Sequence, residues 1–176
     1  MSSAAHHQDL VDKEPRYIEN RDMRGWENVI GQFFCDFVFG QMVPSEGSIV
    51  ELGTGQGVNF LELCRQFGEE RCVGYDVVNF LKHPRVKEED IRKLSPKDDY
   101  PIALGFNDLS DWQLSPQSKK AGFEFIKRNL VSGGYYVDAA FTDQTTELID
   151  LSDFTLIAER DSVKLFKYNG NTQENF

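Results

Sequence analysis

The sequence predicts an α/β protein: a three-layer α/β/α sandwich on a mostly parallel seven-stranded sheet, with an antiparallel C-terminal hairpin strand. Three observations predict it. From Ser48 to Asp138, short apolar runs alternate with segments of helical period, and such alternation calls for parallel strands covered on both faces. A glycine-rich stretch, Gly53-Thr-Gly-Gln-Gly57, stands where the first run gives way to the first helix. Near the C-terminus, two segments that alternate apolar and polar residues are separated only by Arg160-Asp-Ser162, which is hairpin spacing.

The bulk composition sets the limits. At 176 residues, 40 % of them hydrophobic and 12 % aromatic, the chain fits one globular domain with a sizeable core and not a disordered segment. Its formal net charge of −10 offers no general footprint for phosphates, which disfavours a nucleic-acid partner. Cys35, Cys64 and Cys72 are odd in number and form no C-x-x-C pair; they read as reduced thiols. No apolar run approaches the ~18 residues of a membrane span, and Met1 to Glu14 has no apolar stretch of the kind a signal peptide carries. No membrane association and a cytoplasmic location are therefore expected. The expected organisation is a flexible arm over residues 1–16, which holds His6 and His7, one domain over 17–168, and a flexible tail over 169–176.

The elements follow in order. Met23, Trp26, Ile30, Phe33, Phe34 and Phe37 recur at three- and four-residue intervals between Asp22 and Phe39, an amphipathic helix with a core-facing stripe. Gly40 ends it, and Pro44 to Gly47 form a turn. Ser48–Leu52 is the first strand. Gly57–Phe67 is the next helix, with Val58, Leu61, Cys64 and Phe67 expected to face inward. Further strands are expected at Arg71–Asp76, Arg85–Ile91, Pro101–Phe106 and Gly133–Asp138. Ser115-Pro116 should open a helix that runs to Leu130. A short helix near Thr142–Ile149 precedes the hairpin strands Phe154–Glu159 and Val163–Tyr168. The segment from Val77 to Val86 is too short for a full helix.

In open α/β sheets ligands bind beyond the carboxyl ends of the strands, where strand order reverses. Glycines there let the backbone turn sharply and approach a ligand, and the following helix presents its N-terminus. The spacing narrows the choice of ligand. A dinucleotide fingerprint, G-x-G-x-x-G, would need glycine at Val58, and no G-K-[ST] marks a phosphate loop. A nicotinamide oxidoreductase is further disfavoured because no Tyr-x-x-x-Lys or histidine relay stands out. What the chain carries is an acid two residues ahead of three alternating glycines: Glu51-Leu-Gly53-Thr-Gly55-Gln-Gly57.

That motif resembles the first motif of the class I S-adenosylmethionine-dependent methyltransferases. The resemblance covers roughly residues 48–168. It implies a cofactor loop made by Glu51, Gly53, Thr54, Gly55, Gln56 and Gly57. Asp76 with Val77 would lie against the ribose, where a carboxylate accepts from two adjacent hydroxyls. Asp90 and Ile91 would flank the adenine, and Asn107 would stand on the acceptor side. The implied activity is in-line methyl transfer from the sulfonium, with orientation and a dry cavity supplied by the protein. The acceptor expected is a small molecule or a protein side chain.

Asp108 is the preferred general base, with Asp111 and Asp138 beside it. Asp108 and Asp138 also suit a magnesium ion that would activate an acceptor hydroxyl. Ala139-Ala140 follow where another ligand would be expected, so these acids are read as ordinary loop acids and a metal is not favoured. Asn107-Asp108-Leu-Ser lacks the prolines of the family's amino-group methylators, which disfavours an adenine or amide nitrogen as acceptor. Any lid must come from Arg16 to Trp26, with Tyr17 and Trp26 as covering residues. The competing reading is a non-catalytic domain that binds S-adenosylmethionine or S-adenosylhomocysteine as a partner or regulatory subunit.

Overall fold

The computed structural model describes residues 43–55, 57–94, 100–107, 116–138, 143–160 and 163–170. The expected helix over Asp22–Phe39, the lid residues Tyr17 and Trp26, and Gln56, Asp108 and Asp111 lie outside the described residues, as do Cys35 and Ser115.

The sheet has seven strands: β1 (Ser48–Leu52), β2 (Cys72–Asp76), β3 (Val86–Glu88), β4 (Ile102–Asn107), β5 (Leu130–Asp138), β6 (Phe154–Arg160) and β7 (Val163–Tyr168), in the order β3-β2-β1-β4-β5-β7-β6. The pairs β1–β2, β2–β3, β1–β4 and β4–β5 are parallel, while β7 runs antiparallel to both β5 and β6. The chain moves outward from β1 to β3 and then returns to build β4 and β5 on the other side. The order therefore reverses between β1 and β4, and the crevice above Leu52 and Asn107, which are paired in register, is where a ligand is expected.

Helix α1 (Val58–Phe67) follows β1, α2 (Pro116–Asn129) precedes β5, and the short α3 (Asp143–Leu148) precedes β6. The core splits into two clusters. One gathers Ile49, Phe60, Leu63, Cys72, Phe106 and Val137 on the α1 side. The other gathers Val50, Leu52, Tyr75, Phe123, Ile126 and Tyr136 on the α2 side. Adjacent strand residues fall into opposite clusters, Ile49 against Val50 and Tyr136 against Val137, because side chains alternate across a strand. The central strands are mainly apolar, as a sheet covered on both faces requires, with buried Glu51, Asp76, Asn107 and Asp138 as polar exceptions toward their carboxyl ends.

Several boundaries differ from the sequence expectation. Leu61 is 47 % exposed, whereas Phe60 and Leu63 are buried. The inward stripe of α1 is thus Phe60, Leu63, Cys64 and Phe67, with spacing i, i+3, i+4, i+7. Cys64 and Phe67 belong to either phase, and the larger Phe60 takes the interior position over Gly74, whose missing Cβ leaves room for its ring. The third strand is confined to Val86–Glu88, because Ile91 sits instead in a 3-10 turn, Ile91–Lys93, capped by Asp90. Leu130 opens β5 instead of closing α2. Between the pairings Ile102↔Leu130 and Leu104↔Tyr135 the register slips, and Gly133 takes up the irregularity at φ 76.

No helix forms between β2 and β3. Residues 77–85 turn back within a knot around Asn79. Its side chain donates to the carbonyls of His83 and Val86 at 3.0 and 3.2 Å, and its Oδ1 accepts from the His83 N–H at 3.1 Å. At the tail, Asn169 is tied down through Asp153 and Thr155.

Candidate functional site

The glycine loop leaves β1 at Gly53, and Gly53, Gly55 and Gly57 all have positive φ, at 82, 51 and 80°. Gly57 is the N-cap of α1 in the left-handed region, without a side-chain cap. A Cβ there would meet Leu81 Cδ2 at 2.5 Å, so steric room and backbone conformation both demand glycine. Leu81 comes from the short β2–β3 turn, which thus packs directly against the loop.

Four amides of the loop are engaged inside the protein. Gly53 N and Thr54 N donate to the Tyr75 carbonyl at 2.8 and 3.4 Å, and Gly57 N donates to the Thr54 carbonyl at 2.7 Å. Gly55 N donates to Asp76 Oδ2 at 2.7 Å. Asp76 Oδ1 accepts from Val77 N at 2.7 Å. The acid that ends β2 is nearly buried and is held beside the glycines by two backbone donors. Each carboxylate oxygen keeps acceptor capacity for a further partner.

Two polar atoms at this edge are buried with no hydrogen-bond partner among the described residues: Thr54 Oγ1 and Asn107 Oδ1. An orphan of this kind costs about 1–3 kcal/mol unless a ligand or water satisfies it. They stand on opposite sides of the point where strand order reverses. Together with the glycine cradle and Asp76, they fit a nucleoside cofactor of the S-adenosylmethionine type. A pyrophosphate needs several amides aimed outward, and those of Gly53, Thr54, Gly55 and Gly57 are already engaged. Glu51 is fully buried beneath the loop.

Of the two residues expected at the adenine, Asp90 accepts from the backbone N–H of Arg92 at 3.0 Å and pairs with its guanidinium at 2.6 and 2.9 Å. The Arg92 side chain holds the Asp90 carboxyl below its ordinary range. Ile91 is buried in the α2-side core.

At the end of β4 and β5 lies a network that the sequence did not reveal. Asn107 Nδ2 donates to Tyr136 Oη at 3.2 Å and to the Lys119 carbonyl at 3.3 Å. Tyr136 Oη donates to Asp138 Oδ2 at 2.8 Å, and Lys119 Nζ lies 2.8 Å from Asp138 Oδ1. Asn107, Tyr136 and Asp138 are fully buried. Burial, and then the Asp138 charge, hold the Tyr136 phenol far above its ordinary range, so it remains a donor. Both Asp138 oxygens are therefore engaged, which suits neither a base that must reach an acceptor nor a magnesium ligand. Among the described residues no group of three or more His, Cys, Asp or Glu could hold a metal. The legible signal was Tyr136-x-Asp138, two polar residues on one face of a strand; Lys119 carried none.

Cys64 and Cys72 interact with each other, and burial raises both thiols above their ordinary range. No helix among the described residues is long and apolar enough to cross a membrane.

No protein-family model matches the chain, and no curated protein matches its sequence. Its fold does match solved structures. A TDP-rhamnose 3′-O-methyltransferase of calicheamicin biosynthesis is 16 % identical, with a TM-score of 0.57 over 95 % of this chain and 93 % of its own. The N-methyltransferase NodS of Bradyrhizobium japonicum, in complex with S-adenosylhomocysteine, is 12 % identical with a TM-score of 0.58, over 93 % of this chain and 98 % of its own. The 1,6-didemethyltoxoflavin-N1-methyltransferase of Burkholderia thailandensis, with 1,6-didemethyltoxoflavin and S-adenosylhomocysteine bound, is 11 % identical with a TM-score of 0.59, over 97 % and 92 %. With these neighbours and its seven-stranded sheet ending in an antiparallel hairpin, the chain has the class I S-adenosylmethionine-dependent methyltransferase fold.

Proposed function

We propose that this protein is an S-adenosylmethionine-dependent methyltransferase acting on a small molecule or a protein side chain. One observation carries the reading. The amides of Gly53, Thr54, Gly55 and Gly57 all donate within the protein, while the same loop holds the Asp76 carboxylate at its rim. A loop of this kind shapes space for a nucleoside and recognises hydroxyls, and it is not a nest for phosphate.

Asp76 would accept from the ribose hydroxyls, with Val77 beside it. Gly53 to Gly57 would let the nucleoside approach the backbone, with Thr54 Oγ1 and Asn107 Oδ1 as polar contacts. Asp90 and Ile91 would lie on the adenine side, and Glu51 would brace the loop from below. The cofactor would supply the electrophilic methyl carbon. The protein's part is to align it with the acceptor, exclude water and, for an acidic acceptor, take its proton. Asp108, next to Asn107, is the base we assign.

The second reading, a non-catalytic domain that binds the cofactor or its demethylated product, is favoured by the engagement of Asp138. With both its oxygens committed, the described end of β5 offers no base.

Calorimetric titration with S-adenosylmethionine, S-adenosylhomocysteine and NAD tests the cofactor. Binding of the two sulfur compounds and not of NAD is expected, and binding of neither sinks the proposal. Release of S-adenosylhomocysteine in the presence of candidate acceptors separates enzyme from binding subunit. Loss of release with intact binding in Asp108→Ala is the expected result for the base.

A further inference from the structure

The buried network at the ends of β4 and β5 has a direction. Both groups facing Asn107 Nδ2 act as acceptors: the Lys119 carbonyl, and the Tyr136 hydroxyl, whose single proton goes to Asp138. Rotating the amide by half a turn would set Oδ1 against a carbonyl oxygen and against a hydroxyl with no proton to give. The network therefore permits one orientation. Asp138 enforces it by accepting the Tyr136 hydrogen bond, and Lys119 holds Asp138 by an ammonium contact at 2.8 Å. Lys119 acts at two points, because its own carbonyl is the second acceptor for Asn107. The result is that Asn107 Oδ1 is turned away from all of these groups and is left with no hydrogen-bond partner among the described residues.

Register shows where Asn107 stands on the sheet. Asn107 pairs with Leu52 on β1 and with Asp138 on β5, so it lies level with the last residue before the glycine loop. Asp76 ends β2, two strands away, which at about 4.8 Å per strand spacing sets the two backbones about 10 Å apart. That span matches the distance from the ribose hydroxyls of a thioether-linked nucleoside to its amino-acid end. The ammonium at that end is a charged donor, the kind of partner a fixed, buried carbonyl oxygen holds best.

We propose that Lys119, Asp138 and Tyr136 are positioning residues that lock the Asn107 amide with its Oδ1 presented to the ammonium of the bound cofactor. The inference rests on the cofactor reading above and adds to it the device that sets recognition of the amino-acid end. It also gives Asp138 a role in place of the catalytic or metal-binding one that its position at the end of β5 suggests.

The experiment is calorimetric titration with S-adenosylhomocysteine and with 5′-methylthioadenosine, the same nucleoside without the amino acid. The proteins are wild type, Asn107→Ala, Tyr136→Phe and the double variant, each checked for folding by thermal melting. Asn107→Ala and Tyr136→Phe are each expected to weaken S-adenosylhomocysteine about tenfold, as loss of one hydrogen bond to a charged group does. Binding of 5′-methylthioadenosine should stay within about twofold. Because Tyr136 acts through Asn107, Tyr136→Phe should have no further effect on the Asn107→Ala background.

Equal weakening of both ligands, additive effects in the double variant, or unchanged S-adenosylhomocysteine binding would each overturn the proposal. Wild type that binds neither ligand would remove the cofactor reading itself, and this inference with it. Should Tyr136→Phe fail to fold, Asp138→Asn takes its place with a weaker effect in the same direction, since an amide there can donate as well as accept and no longer fixes which way the Tyr136 hydroxyl points.

Discussion

The backbone N–H of Gly55 donates to Asp76 Oδ2 at 2.7 Å across 21 positions of sequence. This bond joins the loop after β1 to the end of β2, so the two halves of the candidate cofactor site form one unit before any ligand arrives. Preorganisation of this kind lowers the ordering cost of binding. The same carboxylate has both a structural and a recognition task, and these can be separated experimentally.

Asp76→Asn keeps the shape and one acceptor oxygen but loses the charge. Hydrogen bonds to a charged group contribute about 1.5–3 kcal/mol each. S-adenosylhomocysteine affinity should therefore fall by roughly 10–100-fold by calorimetry, with a loss of about 1 kcal/mol in urea unfolding. Unchanged affinity would show that Asp76 is a loop brace only.

Gly57→Ala tests the steric fit of the loop. Alanine would bring a left-handed penalty of about 1 kcal/mol and a Cβ 2.5 Å from Leu81 Cδ2, for a total near 2–3 kcal/mol of lost stability. Adding Leu81→Ala should relieve the clash and leave the backbone term, apart from the cost of the shortened side chain. If the double variant is no better than the sum of the two singles by urea unfolding, the contact between the β2–β3 turn and the loop is not what fixes glycine here.

Gly74 makes a related prediction beneath the loop. A Cβ on this β2 residue would lie 2.5 Å from Thr54 Cγ2, 3.0 Å from Val86 and 3.2 Å from the Phe60 ring, while its φ is ordinary. Gly74→Ala should cost about 1–3 kcal/mol by overpacking and weaken S-adenosylhomocysteine by displacing Thr54. Thr54→Ser removes the clashing methyl and keeps the hydroxyl, so the pair should regain both stability and binding. Failure of that rescue in parallel melts and titrations would mean that Val86 and Phe60 set the limit.

Much of this was legible in the sequence because its signals are local. Ser48–Leu52 and Val163–Tyr168 are found at the expected residues. Glycines 53, 55 and 57 stand where the backbone needs positive φ, and the absent β2–β3 helix follows from a segment too short to contain one. The phase of α1 was not legible, because Cys64 and Phe67 satisfy two stripes and only Gly74, across the sheet, decides for Phe60. Nor was the pairing of Lys119 with Asp138. One residue is on a helix and the other on a strand, 19 positions apart, and periodicity carries no information about which charges meet. The Asp138 carboxylate reads as an exposed loop acid until packing buries it.

That burial yields the last prediction. Lys119 Nζ and Asp138 Oδ1 are 2.8 Å apart with the Asp138 side chain fully buried. Removing one partner of such a pair strands a charge in a poorly solvated place and costs about 3–5 kcal/mol, whereas removing both charges together is far less damaging. Lys119→Met should therefore destabilise the protein by about 3 kcal/mol in urea unfolding. Adding Asp138→Asn should recover most of that loss, because the amide accepts from Tyr136 without carrying a charge. The rescued double variant should still bind S-adenosylhomocysteine more weakly than wild type. An amide at position 138 also has protons to donate, so it directs the Tyr136 hydroxyl less strictly than a carboxylate does and leaves the Asn107 amide less constrained. Full stability together with wild-type affinity in that double variant would separate the ion pair from ligand recognition and reduce it to a packing feature of the α2 face.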